Sequence, residues 1–232
     1  MVLLRKRPSL IQRGDERRVK LLFVNACPRG EDSRTLRLAR TFLAALTGLL
    51  PDCEVTEEAL YPVTLAPVDS ALLARKEALC DRRAWNDPLF APAIRLQSAD
   101  MVVIAAPYWD LSFPSALKLW VEHCYVRNLT FHYEGSRCVG MCRGRLAVYL
   151  TTAGSPIGES DWGAGYMRAV LRALGIPSFT ALSAQGLDLE ENDAEALLLD
   201  AMARAAALAD EIAHNEKARL AESREESAVS KG

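Results

Sequence analysis

The chain has 232 residues, half of them hydrophobic and a quarter charged, with a formal net charge of −2. That size and balance suit one domain of roughly 150 to 200 residues with extra ends, and the near-neutral charge excludes a global pull toward nucleic acid or an anionic membrane. No apolar run approaches the roughly 18 residues of a membrane span, because Pro, Asp or Arg interrupts the longest ones, so a soluble protein is expected.

Residues 1–18, "MVLLRKRPSLIQRGDERR", are basic but lack the apolar centre and small-residue cleavage site of a secretion signal. They read as a flexible, solvated arm, with a docking or phosphate-binding extension as the alternative. "VKLLFVNA" (19–26) is a β-branched and apolar run, and the helical stretch "SRTLRLARTFLAALTGLL" after it keeps Leu36, Ala39, Phe42, Leu43 and Leu46 on one face. "CEVTEEALY" (53–61) alternates like a strand at a sheet margin. Residues 62–99 are the least regular part and predict two helical pieces around an exposed "RRAWNDP" loop. "DMVVIAAP" (100–107) reads as a strand buried on both faces, and "FPSALKLWVEHCY" as a helix that tolerates Pro114 in its first turn. "GRLAVYLTTAG" (144–154) predicts a strand, "WGAGYMRAVLRALG" a helix ended by Gly175, "PSFTALSAQGL" a last strand, and Ala194 to His214 a last helix.

Five strands joined by helical crossovers predict an α/β fold, a doubly wound five-stranded parallel sheet with helices on both faces. The expected division is a basic arm over 1–18, one domain over 19–214 and a polar, fraying tail over 215–232. Six cysteines, Cys27, Cys53, Cys80, Cys124, Cys138 and Cys142, are scattered without the density of a disulfide scaffold and read as reduced thiols in a cytoplasmic setting. "CVGMC" (138–142) has no matching Cys or His pair, so no metal site is expected.

In such sheets ligands bind beyond the carboxyl ends of the strands, near the point where the strand order reverses. Three turns at such ends are unusual. In "ACPRGEDSRT", Ser33 and Thr35 open a helix whose free amides and positive dipole end favour a phosphate; the alternative is that Ser33 is only an N-cap. In "PYWDL", Tyr108 and Trp109 beside Asp110 offer flat walls and polar groups to a planar heteroaromatic ligand; core packing, or a cap on the next helix by Asp110, is the alternative. "TTAGSPIG" (151–158) is small and hydroxyl-rich and lets backbone amides approach a ligand, or is an ordinary loop.

In order and spacing these three turns resemble the flavodoxin-like NAD(P)H:quinone oxidoreductases and FMN-dependent azoreductases. In that family the first strand ends in a Ser-Pro-Arg-type loop with a further Ser and Ser/Thr opening the helix. The third strand ends Ala-Pro-hydrophobic-Tyr-Asn-Phe and the fourth Thr-Ser-Arg-Gly-Gly. The matching residues are Cys27, Pro28 and Arg29; Ser33, Arg34 and Thr35; Pro107, Tyr108, Trp109, Asp110 and Leu111; and Thr152, Ala153, Gly154 and Ser155. "LTFHYEG" (129–135) is similar to the family's Thr-Phe-x-Tyr segment. Cys27 departs from the usual Ser, Asp110 from a frequent Asn, and Ala153 and Ser155 from Arg and Gly.

The resemblance implies a flavodoxin-like fold over roughly residues 19–214 and FMN as cofactor. It places the FMN phosphate on Cys27, Ser33, Arg34 and Thr35, with Arg29 in the same loop, and borders the flavin ring by 108–111 and 152–155. NADH or NADPH would reduce the flavin, a quinone, azo compound or similar small acceptor would reoxidise it, and no side chain need be a catalytic nucleophile. It also implies a homodimer, to which the aromatic content of 108–131, including Trp120, Tyr125 and Phe131, would lend surface, with Phe131 and Tyr133 as substrate contacts. A nonenzymatic flavin-binding sensor or an electron carrier on the same fold is the alternative.

Overall fold

Buried on both faces along its whole length, the run Met101–Ala105 is the centre of a five-stranded parallel sheet. The structure is a computed structural model that describes residues 18–159 and 161–229; all but the last residue of the expected basic arm lies outside them. The elements run β1 (Lys20–Asn25), α1 (Arg34–Leu49), β2 (Glu54–Ala59), α2 (Ser70–Asp81), α3 (Ala91–Ser98), β3 (Met101–Ala105), α4 (Ser115–Cys124), β4 (Phe131–Glu134), β5 (Arg137–Gly140), β6 (Leu146–Thr152), α5 (Trp162–Ala173), β7 (Ser178–Ala184) and α6 (Ala194–Val229).

The large sheet has the order β2-β1-β3-β6-β7, so the chain reverses direction across the sheet between β1 and β3. Its register aligns Asn25 with Ala105 on β3 and with Ala59 on β2. Side chains alternate along each strand, and the two parities feed two cores. Leu22, Val24, Val102, Ile104, Ala147 and Tyr149 face α3, α4 and α5, whereas Leu21, Phe23, Met101, Val103, Val148 and Leu150 face α1 and α6. The parallel, doubly wound fold expected from the alternating strand and helix patterns is the one observed, and β2 is an edge strand, as its alternation suggested.

Three expectations need correction. Trp120, expected to lend interface surface, is fully buried in the core of the α4 face, because its position on α4 points toward the sheet. Residues 131–140 form a second, two-stranded antiparallel sheet, β4–β5, that the strand count missed. The last helix does not stop at His214 but continues to Val229. Glu216, inside the expected polar tail, is buried and accepts hydrogen bonds at 2.6 Å from both Arg145 and Arg219. Arg145 also pairs with Asp100 at 3.5 Å, so these charges clamp α6 to the amino ends of β3 and β6.

Candidate functional site

At the opposite, carboxyl end of the sheet, the turns leaving β1, β3 and β6 surround one cavity. It is lined by Pro28, Arg29, Ser33, Arg34, Thr35, Pro107, Tyr108, Trp109, Thr152, Ala153, Gly154, Leu187 and Asp188. Its position at the β1/β3 reversal is where open α/β sheets of this order bind ligands.

The first turn is built by local hydrogen bonds. Asn25 Oδ1 accepts from the Cys27 amide at 3.1 Å, and Gly30, at φ +54°, opens a single 3-10 turn, Gly30–Asp32. Ser33 then caps α1, its Oγ accepting from the Leu36 amide at 3.2 Å. The Ser33 hydroxyl also hydrogen-bonds the Cys27 side chain, and the first amides of α1 have no intrahelical acceptor. Thr35 Oγ1 lies 2.6 Å from Thr152 Oγ1, a buried bond that joins α1 to the end of β6.

Arginines crowd the same turn. Arg34 donates to Asp188 Oδ1 at 2.7 Å and to Leu187 O at 3.2 Å. Arg37 forms a two-pronged pair with Glu195, at 3.0 and 2.7 Å, and Arg40 pairs with Glu31. Arg29 is exposed and makes no ion pair among the described residues, so it is available to an anion in the cavity.

The second turn closes as a tight reversal. Tyr108 donates its amide to Thr152 O at 2.9 Å, and Trp109 and Ser112 exchange backbone bonds of 3.3 and 2.8 Å. Between them Asp110 and Leu111 both have positive φ, +52° and +65°, the signature of a type I′ turn. Such a turn favours Asn-Gly, so the Asp-Leu pair holds backbone strain at the rim. Asp110 is exposed, and α4 begins behind Pro114 with no side-chain cap, so Asp110 is not the cap of that helix. The Tyr108 hydroxyl is buried without a hydrogen-bond partner among the described residues.

The third turn is tied to the segment after β7. Leu187 donates to Ala153 O at 3.1 Å and Asp188 to Gly154 O at 2.9 Å. A Cβ at Gly154 would meet the Asp188 carboxylate and displace that side chain.

The cavity thus gathers Arg29, Ser33, Arg34, Thr35, Pro107, Tyr108, Trp109, Thr152, Ala153 and Gly154 from the expected set. Cys27 is not among its lining: its Sγ is buried against Ala105 O at 3.7 Å, in the core between sheet and α1. Burial there pushes the thiol up to about 11, so it stays protonated. Asp110, Leu111 and Ser155 are exposed outside the lining. Phe131 and Tyr133 sit on the β4–β5 hairpin, ring edge to ring face at 5.6 Å, away from the cavity of their own chain. Pro28, matched to the family's loop but not among the residues expected to hold the cofactor, also lines the cavity, and sequence reasoning missed Leu187 and Asp188. The last two follow the carboxyl end of β7, so the strand-end rule that selected the other turns would have found them.

Known proteins place this architecture. A family profile described as flavodoxin-like fold matches residues 19–209. An FMN-dependent NADH:quinone oxidoreductase of Clostridium beijerinckii is 30% identical over 190 residues, covering 80% of this chain and 96% of that protein. A protein named FMN-dependent NADH:quinone oxidoreductase 2 from Clostridium acetobutylicum is 29% identical over 193 residues, with the same coverage of 80% and 96%. Among solved structures, an azoreductase from Bacillus anthracis superposes with a TM-score of 0.74 at 21% identity, covering 83% of this chain and 99% of that one. An FMN-dependent NADH-azoreductase from the same species, in complex with FMN, superposes with a TM-score of 0.71 at 22% identity, covering 84% and 99%. The chain belongs to the flavodoxin-like family that includes the FMN-dependent NADH:quinone oxidoreductases.

Proposed function

We propose that the chain is an FMN-dependent oxidoreductase that takes reducing equivalents from NADH or NADPH and delivers them to a quinone, azo compound or similar small acceptor. The observation that carries this reading is the single cavity at the sheet reversal, with anion donors at the α1 end and aromatic side chains at the β3 end. FMN, when bound, supplies the hydride chemistry. Arg29, the Ser33 hydroxyl and the first amides of α1 form a seat for its phosphate. Tyr108 and Trp109 exclude water from a planar ligand, and the unpartnered Tyr108 hydroxyl is free to donate to a polar edge.

The reading includes a C2 homodimer. Trp109, Leu111, Tyr133 and Trp162 are 40, 65, 62 and 64% exposed. A groove lined by Phe113, Lys118, Trp162 and Tyr166 adjoins them. So much exposed apolar surface, with Trp109 at the cavity itself, suits a partner copy, whose hairpin would bring Phe131 and Tyr133 to the acceptor. No helix among the described residues is long and apolar enough to cross a membrane, and all six cysteines are free, in keeping with a reducing, cytoplasmic setting.

The test is reconstitution of the flavin-free chain followed by assay. About one FMN per chain is expected, bound noncovalently and in preference to FAD, because the seat offers a single anion site. Oxidation of NADH or NADPH should then depend on added quinone or azo dye. Failure to bind FMN at micromolar concentration would sink the enzyme reading.

A further inference from the structure

Asp188 is the only carboxylate among the described residues that line the cavity, and it sits on the arginine nearest the start of α1. The other paired arginines of that turn, Arg37 and Arg40, are held by Glu195 and Glu31, neither of which lines the cavity. Asp188 is fixed by its own backbone and not by Arg34. Its amide is bonded to Gly154 O and the preceding amide to Ala153 O, and its carboxylate lies in the space a Gly154 Cβ would take. When Arg34 turns toward another anion, the Asp188 charge therefore stays beside the seat.

We propose that Asp188 is a specificity-determining residue that competes with the flavin phosphate for Arg34 and so limits how strongly the protein prefers a phosphorylated flavin over an unphosphorylated one. The proposal rests on the FMN reading above. A phosphate dianion entering the seat must take Arg34 from Asp188 and then lie close to the carboxylate left behind. Riboflavin, which lacks the phosphate, meets neither cost. With Asp188 present the lining carries Arg29 and Arg34 against one carboxylate; without it both cations face the ligand.

The experiment is titration of the flavin-free, full-length protein and of Asp188→Asn with FMN and with riboflavin, at low and at moderate salt. Asp188→Asn should bind FMN roughly three- to tenfold more tightly, since an exposed charge pair is exchanged for a doubly charged ligand. Riboflavin affinity should stay the same within error, and FMN affinity should fall more steeply with salt in the variant. Equal or weaker FMN binding by the variant, with riboflavin unchanged, would overturn the proposal and make Asp188 a holder of Arg34. Parallel loss of both flavins would also overturn it, by showing that Asp188 supports the cavity's shape. Absence of FMN binding by the unaltered protein would instead remove the reading on which the proposal rests.

Discussion

The hydroxyls of Thr35 and Thr152 lie 2.6 Å apart and fully within the protein, so the first turn of α1 and the carboxyl end of β6 share one hydrogen bond. One hydroxyl donates to the other, and the acceptor's own proton remains for a ligand. Ser33 is also engaged, accepting from the Leu36 amide and hydrogen-bonding the Cys27 side chain. In the proposed function both residues combine a structural role with a binding role. Replacing Ser33 and Thr35 together by Ala should cost about 1 kcal/mol for the cap and about 1 to 3 kcal/mol for the Thr152 hydroxyl left alone. FMN affinity should fall at least about tenfold, as hydroxyl bonds to a charged acceptor are lost, while turnover with saturating FMN changes little. Thermal denaturation and flavin titration on one preparation separate the effects, and lower stability with unchanged affinity would reduce both residues to structural ones.

Asp110 is exposed at φ +52° in the turn beside Tyr108 and Trp109, and it caps nothing. A fixed negative charge near a flavin opposes the negative charge that the ring gains on reduction. Exposure weakens the repulsion to about 1 kcal/mol, which for a two-electron couple corresponds to about 20 mV. Asp110→Asn should raise the midpoint potential by about that amount. Stability should hold or improve, because Asn is well suited to a positive-φ position. Spectroelectrochemical titration decides the matter, and an unmoved potential would place the carboxylate out of electrostatic reach.

Much of this architecture was legible because it depends on short-range pattern. The unbroken apolar run Met101–Ala105 announces a strand covered on both faces, and the cap at Ser33 marks the start of α1. The hairpin was legible in principle, since Gly135, at φ +60°, and Ser136 are the two turn residues between paired Glu134 and Arg137. What stayed hidden is long-range. Glu216 reads as part of a polar, fraying tail in the sequence, and the approach of Arg145, 71 residues away, together with Arg219 makes its burial tolerable. Asp188 meets Arg34 across 154 residues for the same reason, and Cys27 points inward because the chain turns under it just after β1.

Trp162, on the first turn of α5, and Leu111, on the strained turn, leave large apolar surface in water. In the proposed dimer they are covered by the partner. Trp162→Ser should weaken dimerisation by about 1 to 3 kcal/mol, the worth of one large apolar side chain at an interface. Sedimentation equilibrium reads that change, and specific activity should fall with dilution in parallel. Tyr133→Ala should raise KM for the acceptor and leave dimer affinity nearly unchanged. A fully active monomer at micromolar concentration would contradict both expectations.

The clamp at the other end of the sheet sets a pH limit on the fold. Burial alone would raise the pKa of the Glu216 carboxyl, but hydrogen bonds and charge from Arg219 and Arg145 more than offset it, and the net shift is downward. A carboxyl held below its unfolded value contributes stability that is fully present above that value, about 4.3 for Glu, and is lost as pH falls through the folded pKa. Asp100 shares Arg145, and Arg219 belongs to the same group of charges, so protonating Glu216 removes the charged acceptor that Arg145 and Arg219 hold in common. Glu216→Gln should therefore destabilise the protein at neutral pH, by about 1 to 3 kcal/mol, because the guanidiniums lose their charged acceptor. The difference between the two proteins should shrink only as pH falls below the ordinary Glu range and through the lowered folded pKa, where the wild-type carboxyl is itself neutralised. Urea denaturation at several pH values measures it. A gap that stays constant from neutral pH into acid would mean that shape, and not the charge of Glu216, holds α6 against the strand ends.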